Sequence, residues 1–105
     1  MIAPASGLEG GQLREVRPGL GRALLDERLA ACVNITPVRS AYWWQGRVEE
    51  AGETLLIVKT VDRLIDTLVG RVRALHSYTV PEVIALPIVA GNPDYLRWIE
   101  ESVSQ

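Results

Sequence analysis

The amino-acid sequence predicts a single α+β domain. Apolar residues switch between helical spacing and strand alternation along the chain, Gln45-Gly46 separates two strand-like runs, and Asn92-Pro93-Asp94 opens a final helical segment. A chain of 105 residues has room for one hydrophobic core, and 48% hydrophobic with 23% charged residues is the profile of a folded protein. Residues 1–105 are therefore expected to form one domain.

The leader, residues 1–19, is rich in glycine, and only Met1 to Ala3 has strand-like residues. A loosely ordered leader is expected there, and a first strand is uncertain. From Leu20 the residues Leu20, Leu24, Leu25 and Leu29 recur at helical spacing, which predicts a helix ending near Ala30. Ala31, Val33 and Ile35 then alternate with polar neighbours as in a half-buried strand, and Pro37 is expected to end or kink it. Arg39 to Trp44, the Gln45-Gly46 turn and Arg47 to Glu50 predict a hairpin.

Thr54 to Lys59 lacks polar alternation in its middle and is expected to be a strand covered on both faces. Leu64, Ile65, Leu68, Val69, Val72 and Leu75 form one apolar stripe, so a helix follows, with Asp62 as its expected N-cap. Val80 to Ala90 predicts a bent strand or two short ones, because Pro87 interrupts the ladder. Asn92 as cap, Pro93 at the first helical position and Asp94 in the first turn start the last helix, which carries Tyr95, Leu96, Trp98 and Ile99. If a first strand precedes Leu20, this order is that of a ferredoxin-like α+β sandwich with an additional C-terminal helix.

Charge and hydropathy exclude several partners. Eleven basic residues against 13 acidic ones give a net charge of −2 without a basic block, which argues against nucleic acid. The apolar run from Val83 to Ala90 is much shorter than the roughly 20 residues of a membrane span. No secretory signal is visible, and the single cysteine suits a reducing compartment, so a cytoplasmic location is expected. The strands Leu55 to Val58 and Val83 to Val89 carry more apolar surface than two helices can cover, which points to a homo-oligomer.

Few residues carry chemistry. Cys32 and His76 would make a nucleophile pair only if the fold brought them together with an orienting group; a buried thiol and a helix-ending histidine are the structural reading. Cys32, His76 and Glu82 supply thiolate, imidazole and carboxylate, a donor set suited to copper or zinc, although no CxxC or HxxxH spacing supports a dedicated cage. The glycines match no nucleotide-binding loop. Tyr42, Trp43, Trp44 and Trp98 fit core or interface packing, or a stacked ligand. No enzymatic activity and no certain cofactor are expected.

Three stretches form a signature when taken together: Glu27-Arg28-Leu29-Ala30-Ala31-Cys32-Val33-Asn34, Tyr42 to Gly46, and Ala74 to Pro87 with His76, Tyr78, Pro81 and Glu82. Lys59-Thr60 and Gly91 to Trp98 extend it. Over about residues 20 to 104 the chain resembles the CutA family of divalent-cation tolerance proteins. The resemblance implies a ferredoxin-like subunit, similar to the PII signalling proteins, assembled as a homotrimer through strands of neighbouring subunits. It also implies copper or other divalent-cation binding and metal tolerance, with Cys32, His76 and Glu82 as metal ligands and Trp44, Lys59 and Tyr78 lining a cleft between subunits. The other function that this architecture implies is a PII-like signalling or scaffold trimer that takes a small metabolite or partner protein in the same cleft. Two departures stand out: Ser77 replaces the family's usual proline, and the leader is glycine-rich where relatives open on an apolar strand.

Overall fold

A computed structural model describes residues 2–5, 19–75 and 82–104. The elements are β1 (Ile2–Ala5), α1 (Leu20–Asp26), β2 (Cys32–Trp44), β3 (Arg47–Lys59), a 3-10 turn (Asp62–Leu64), α2 (Ile65–Leu75) and α3 (Pro93–Val103). The sheet is antiparallel in the order β1-β3-β2. The expected α+β character holds, and a first strand does form, pairing Ile2 with Ile57 and Ala5 with Thr54. Residues 6–18 of the predicted loose leader lie outside the described residues.

β2 and β3 make one hairpin of 13 residues per arm, with Trp44 opposite Arg47 and Cys32 opposite Lys59. Gln45 (φ 51°) and Gly46 (φ 78°) both sit at positive φ, the type I′ geometry whose twist matches that of paired strands. The predicted break at Pro37 is not seen; Pro37 sits inside β2 opposite Thr54. β2 is an edge strand among the described residues, where a proline can be accommodated without ending the ladder.

The predicted first helix stops at Asp26 rather than near Ala30. Arg28 adopts the left-handed conformation (φ 59°), and the Leu29 amide reaches back to the Leu24 carbonyl at 2.9 Å while the Arg28 amide reaches Leu25 at 3.0 Å. This pair of bonds is a Schellman ending, and it folds Leu29 back beside Leu24 in the core.

The core lies between the helices and one face of the sheet. Leu20 and Leu24 of α1, Leu56 and Val58 of β3, and Leu68 and Val72 of α2 are all under 2% exposed. Burying each such side chain contributes on the order of 1.5–3 kcal/mol, so this one layer dominates the stability. α1 comes so close to β2 that a Cβ on Gly21 would lie 3.1 Å from Val33 Cγ1.

Coverage of β3 on both faces is not what one protomer shows. Thr54, Leu56 and Val58 are buried under the helices, whereas Leu55 and Ile57, which point to the other face, are only half-buried. The core residues of α1 and α2 pack with Leu56 and Val58 on the first face.

Two further expectations change. The turn Asp62–Leu64 precedes α2, and its cap position is Val61 without a side-chain bond, so Asp62 does not cap. Of the predicted strand Val80 to Ala90, residues 82–90 form no strand among the described residues, with one isolated bridge at Ile84 and a bend at Ala90; residues 80 and 81 lie outside the described set. The last helix begins as expected, with the Asn92 side chain accepting from the Asp94 amide at 3.0 Å and Pro93 in the first turn. It buries Ile99 and Val103, while Tyr95, Leu96 and Trp98 remain on the surface. Its end is tied down by Arg63, which donates to both Glu100 oxygens at 2.7 and 2.9 Å, and by Arg28, which donates to the Ser102 carbonyl at 2.8 Å.

Candidate functional site

The two-residue turn sets the register of everything behind it, because a bulge-free hairpin pairs residues at equal distance from the turn. Thirteen pairs back, it brings Cys32 at the start of β2 opposite Lys59 at the end of β3. Both belong to the face away from α1 and α2, since Val33, Leu56 and Val58 take the opposite parity. Lys59 Nζ donates to Cys32 Sγ at 3.8 Å in a partly buried setting.

The backbone around this pair is held firmly. The Ala31 amide donates to the Lys59 carbonyl at 2.8 Å, and Thr60 Oγ1 donates to the Leu29 carbonyl at 2.7 Å. The Schellman turn after α1 delivers Ala31 to that position, so the -Leu29-Ala30-Ala31-Cys32- and -Lys59-Thr60- stretches meet as one unit.

The remaining candidate residues are spread out. Trp44 lies twelve residues along β2 from Cys32, about 40 Å at strand rise, which is most of the molecule's longest extent of 44 Å. Within one protomer Trp44 cannot meet Cys32 or Lys59. Glu82 is exposed and lies near enough to Glu53 of β3 for their charges to repel. Glu53 is six residues, or about 20 Å, from Lys59, so Glu82 stands beside the middle of the hairpin and Cys32 at its base. His76 and Tyr78 lie outside the described residues. Among the described residues no three His, Cys, Asp or Glu side chains gather as a metal-holding group.

Glu53 itself was not singled out from the sequence. Burial pushes its carboxyl above the ordinary carboxylate range, and the charge of Glu82 adds to that, while a hydrogen bond from Ser40 opposes it. Ser40 is a diagonal neighbour across the hairpin, since Val38 is the residue directly opposite Glu53. Counting outward from Gln45-Gly46 would have located both this pair and the Cys32–Lys59 pair.

A third feature is the apolar surface. Tyr42, Trp43, Trp44 and Val48 crowd the hairpin tip, with Trp43 76% exposed, and Ile84, Leu86, Ile88 and Val89 lie along the segment before α3, with Val89 91% exposed. On α3, Tyr95 and Trp98 stack at 5.5 Å between ring centres.

The signature residues that build this geometry can be compared with known proteins. The family description "CutA1 divalent ion tolerance protein" matches residues 13–102. The chain belongs to the CutA1 family. Among CutA relatives, the divalent-cation tolerance protein CutA of Thermus thermophilus is 54% identical over 89 residues, covering 84% of this chain and 86% of the relative. The chloroplastic protein CutA 1 of Oryza sativa is 48% identical over 93 residues, 88% of this chain; the chain spans about half (52%) of that relative's length. Solved CutA structures have the same fold. The periplasmic divalent cation tolerance protein CutA from Archaeoglobus fulgidus superposes with a TM-score of 0.85 at 39% identity, covering 98% of this chain and 95% of the other. The Thermus thermophilus structure gives 0.84 at 47% identity over 96% and 93%.

Proposed function

We propose that this CutA1-family chain works as a homotrimer that binds divalent cations, copper among them, and so contributes to metal tolerance. The observation that carries the reading is the surface of the single protomer. Exposed apolar side chains cluster at the hairpin tip and along 84–89, and the sheet face opposite the helices is half-covered. Clustered exposed apolar side chains of that kind mark an interface. A second and third copy of this ferredoxin-like subunit would cover it.

Association also supplies what one protomer lacks for metal. Cys32 offers a soft sulfur on the open sheet face, with Trp44 far away at the tip, so a cleft shared between subunits is the arrangement that gathers Cys32, His76 and Glu82 with Trp44, Lys59 and Tyr78. Metal binding, not catalysis, is the role proposed for these residues, and a cytoplasmic location goes with the free thiol.

Light scattering at micromolar protein tests the assembly: the expected mass is three times 11.6 kDa, and a folded 11.6 kDa particle refutes it. Copper titration by calorimetry tests the ligand: the expected heat disappears in a Cys32→Ala, His76→Ala double variant, and equal heat from both proteins refutes the ligand assignment. A thermal-shift screen of nucleotides and organic acids separates this reading from a PII-like metabolite sensor, because a ligand that binds the folded state stabilises it by RT ln(1 + [L]/Kd) and so raises the melting temperature.

A further inference from the structure

Cys32 is the only cysteine of the chain and Lys59 its only lysine. The fold places the two opposite each other, with Nζ and Sγ 3.8 Å apart. We propose that this cross-strand pair is a peroxide-responsive modification site at which Sγ and Nζ become joined as a sulfenamide.

The geometry meets the requirements of that bond. Directly opposed residues on paired strands have Cβ atoms about 5 Å apart, and the four-carbon lysine stem can bring its nitrogen to bonding distance by side-chain rotation alone. The backbone on both sides is pinned by the Ala31–Lys59 and Thr60–Leu29 hydrogen bonds, so the strands need not move. Among the described residues no carboxylate pairs with Lys59, which leaves its nitrogen on the sulfur.

The chemistry has two steps. Hydrogen peroxide transfers an oxygen to the thiol, which becomes a sulfenic acid, and one water leaves. A sulfenic acid is usually resolved by a second thiol. This chain has none, and the group in contact is an amine. The neutral Lys59 nitrogen attacks sulfur, the N–S bond forms, the S–O bond breaks, and the hydroxyl departs as a second water with a proton from nitrogen. Sulfur is oxidised by two electrons and the peroxide is reduced to two waters. An added thiol reverses the bond by attacking sulfur and releasing the amine.

The consequence is a redox-gated surface. The bridge removes a soft sulfur and a cationic amine from the sheet face away from α1 and α2 in one event and staples the base of the β2–β3 ladder. This inference rests on the thiol–amine pair and not on the metal-binding reading.

The experiment uses the full chain, cleared of metal with a chelator and treated with hydrogen peroxide. Intact-mass spectrometry is expected to show a species lighter by two hydrogens that dithiothreitol restores. Cleavage after arginine is expected to release Leu29–Arg39 joined to Val48–Arg63. In Lys59→Arg the oxidation should instead run on to the sulfinic and sulfonic acids, and dimedone should trap the sulfenic acid several-fold more. The same oxidation ladder in both proteins, with no joined peptide from the unmodified sequence, overturns the proposal. The peptide readout does not depend on any variant folding, and a chain that forms the bridge without binding copper separates this result from the metal test.

Discussion

Two glycine-to-alanine changes, in different helices, isolate how tightly α1 is pressed on the sheet. Replacing glycine by alanine within a helix gains up to about 1 kcal/mol, because the backbone loses less freedom on folding. Gly70 in α2 has nothing within 4 Å of its added Cβ, so Gly70→Ala should realise most of that gain. At Gly21 the new Cβ would lie 3.1 Å from Val33 Cγ1 and 3.4 Å from Ile35 Cδ1. Carbon contacts are optimal at about 3.5–4.0 Å, so Val33 must yield by several tenths of an ångström. Forcing that much extra volume into a packed layer costs about 1–3 kcal/mol. Gly21→Ala should therefore be less stable than Gly70→Ala by about 1–3 kcal/mol, although the chemical change is the same. At about 4 °C per kcal/mol for a domain of this size, thermal unfolding separates the two by roughly 4–12 °C. Both variants must be measured at one protein concentration, since association shifts the melting point. Equal stabilisation by the two would show that α1 does not bear on Val33 and Ile35 as described.

Other expectations follow from the hairpin and the helix ends. Gln45→Asn should raise stability by about 0.5–1 kcal/mol, because asparagine tolerates the positive φ of a type I′ turn better than glutamine, and denaturant titration that moves the midpoint downward would contradict the turn assignment. Glu53 binds its proton more tightly folded than unfolded, so the wild type loses stability as pH rises from the ordinary carboxylate range through the raised folded value. Glu53→Gln should then melt higher than wild type at pH 7, with the gap closing on acidification below about pH 4; a variant less stable than wild type at pH 7 would refute the sign. Arg63→Ala removes both bonds to Glu100, so amide exchange should quicken across 93–103 while the Leu56 and Leu68 region stays protected; uniform quickening would show that α3 and the core open together.

Most of the secondary structure was legible because its causes are local. The Asn92-Pro93-Asp94 cap works through bonds within three residues, and the structure shows those bonds. The stripe from Leu64 to Leu75 needs only helical periodicity, and the structure buries Leu68 and Val72 from it. The misread elements depend on distant partners. Pro37 breaks a strand in isolation, yet thirteen consecutive pairs with β3 carry β2 past it. The end of α1 is set by Arg28 in a conformation that favours glycine, which no propensity at that position announces.

The candidate site divides in the same way. Thiol chemistry picked out Cys32 and family resemblance added Lys59, and the Gln45-Gly46 turn contained the register that pairs them. That Glu82 would stand beside Glu53, and that Trp44 would sit some 40 Å from Cys32, needed the coordinates.

Taken alone, the sequence determined the α+β class, the hairpin and the last two helices, because periodicity, turn chemistry and caps are properties of neighbouring residues, while the CutA1 resemblance rested on the signature stretches. Only the tertiary structure decided which face of the sheet is buried, where α1 stops and which side chains meet. Those outcomes come from long-range packing, in which Leu24, Leu56 and Leu68 must exclude water together although they are far apart in the chain.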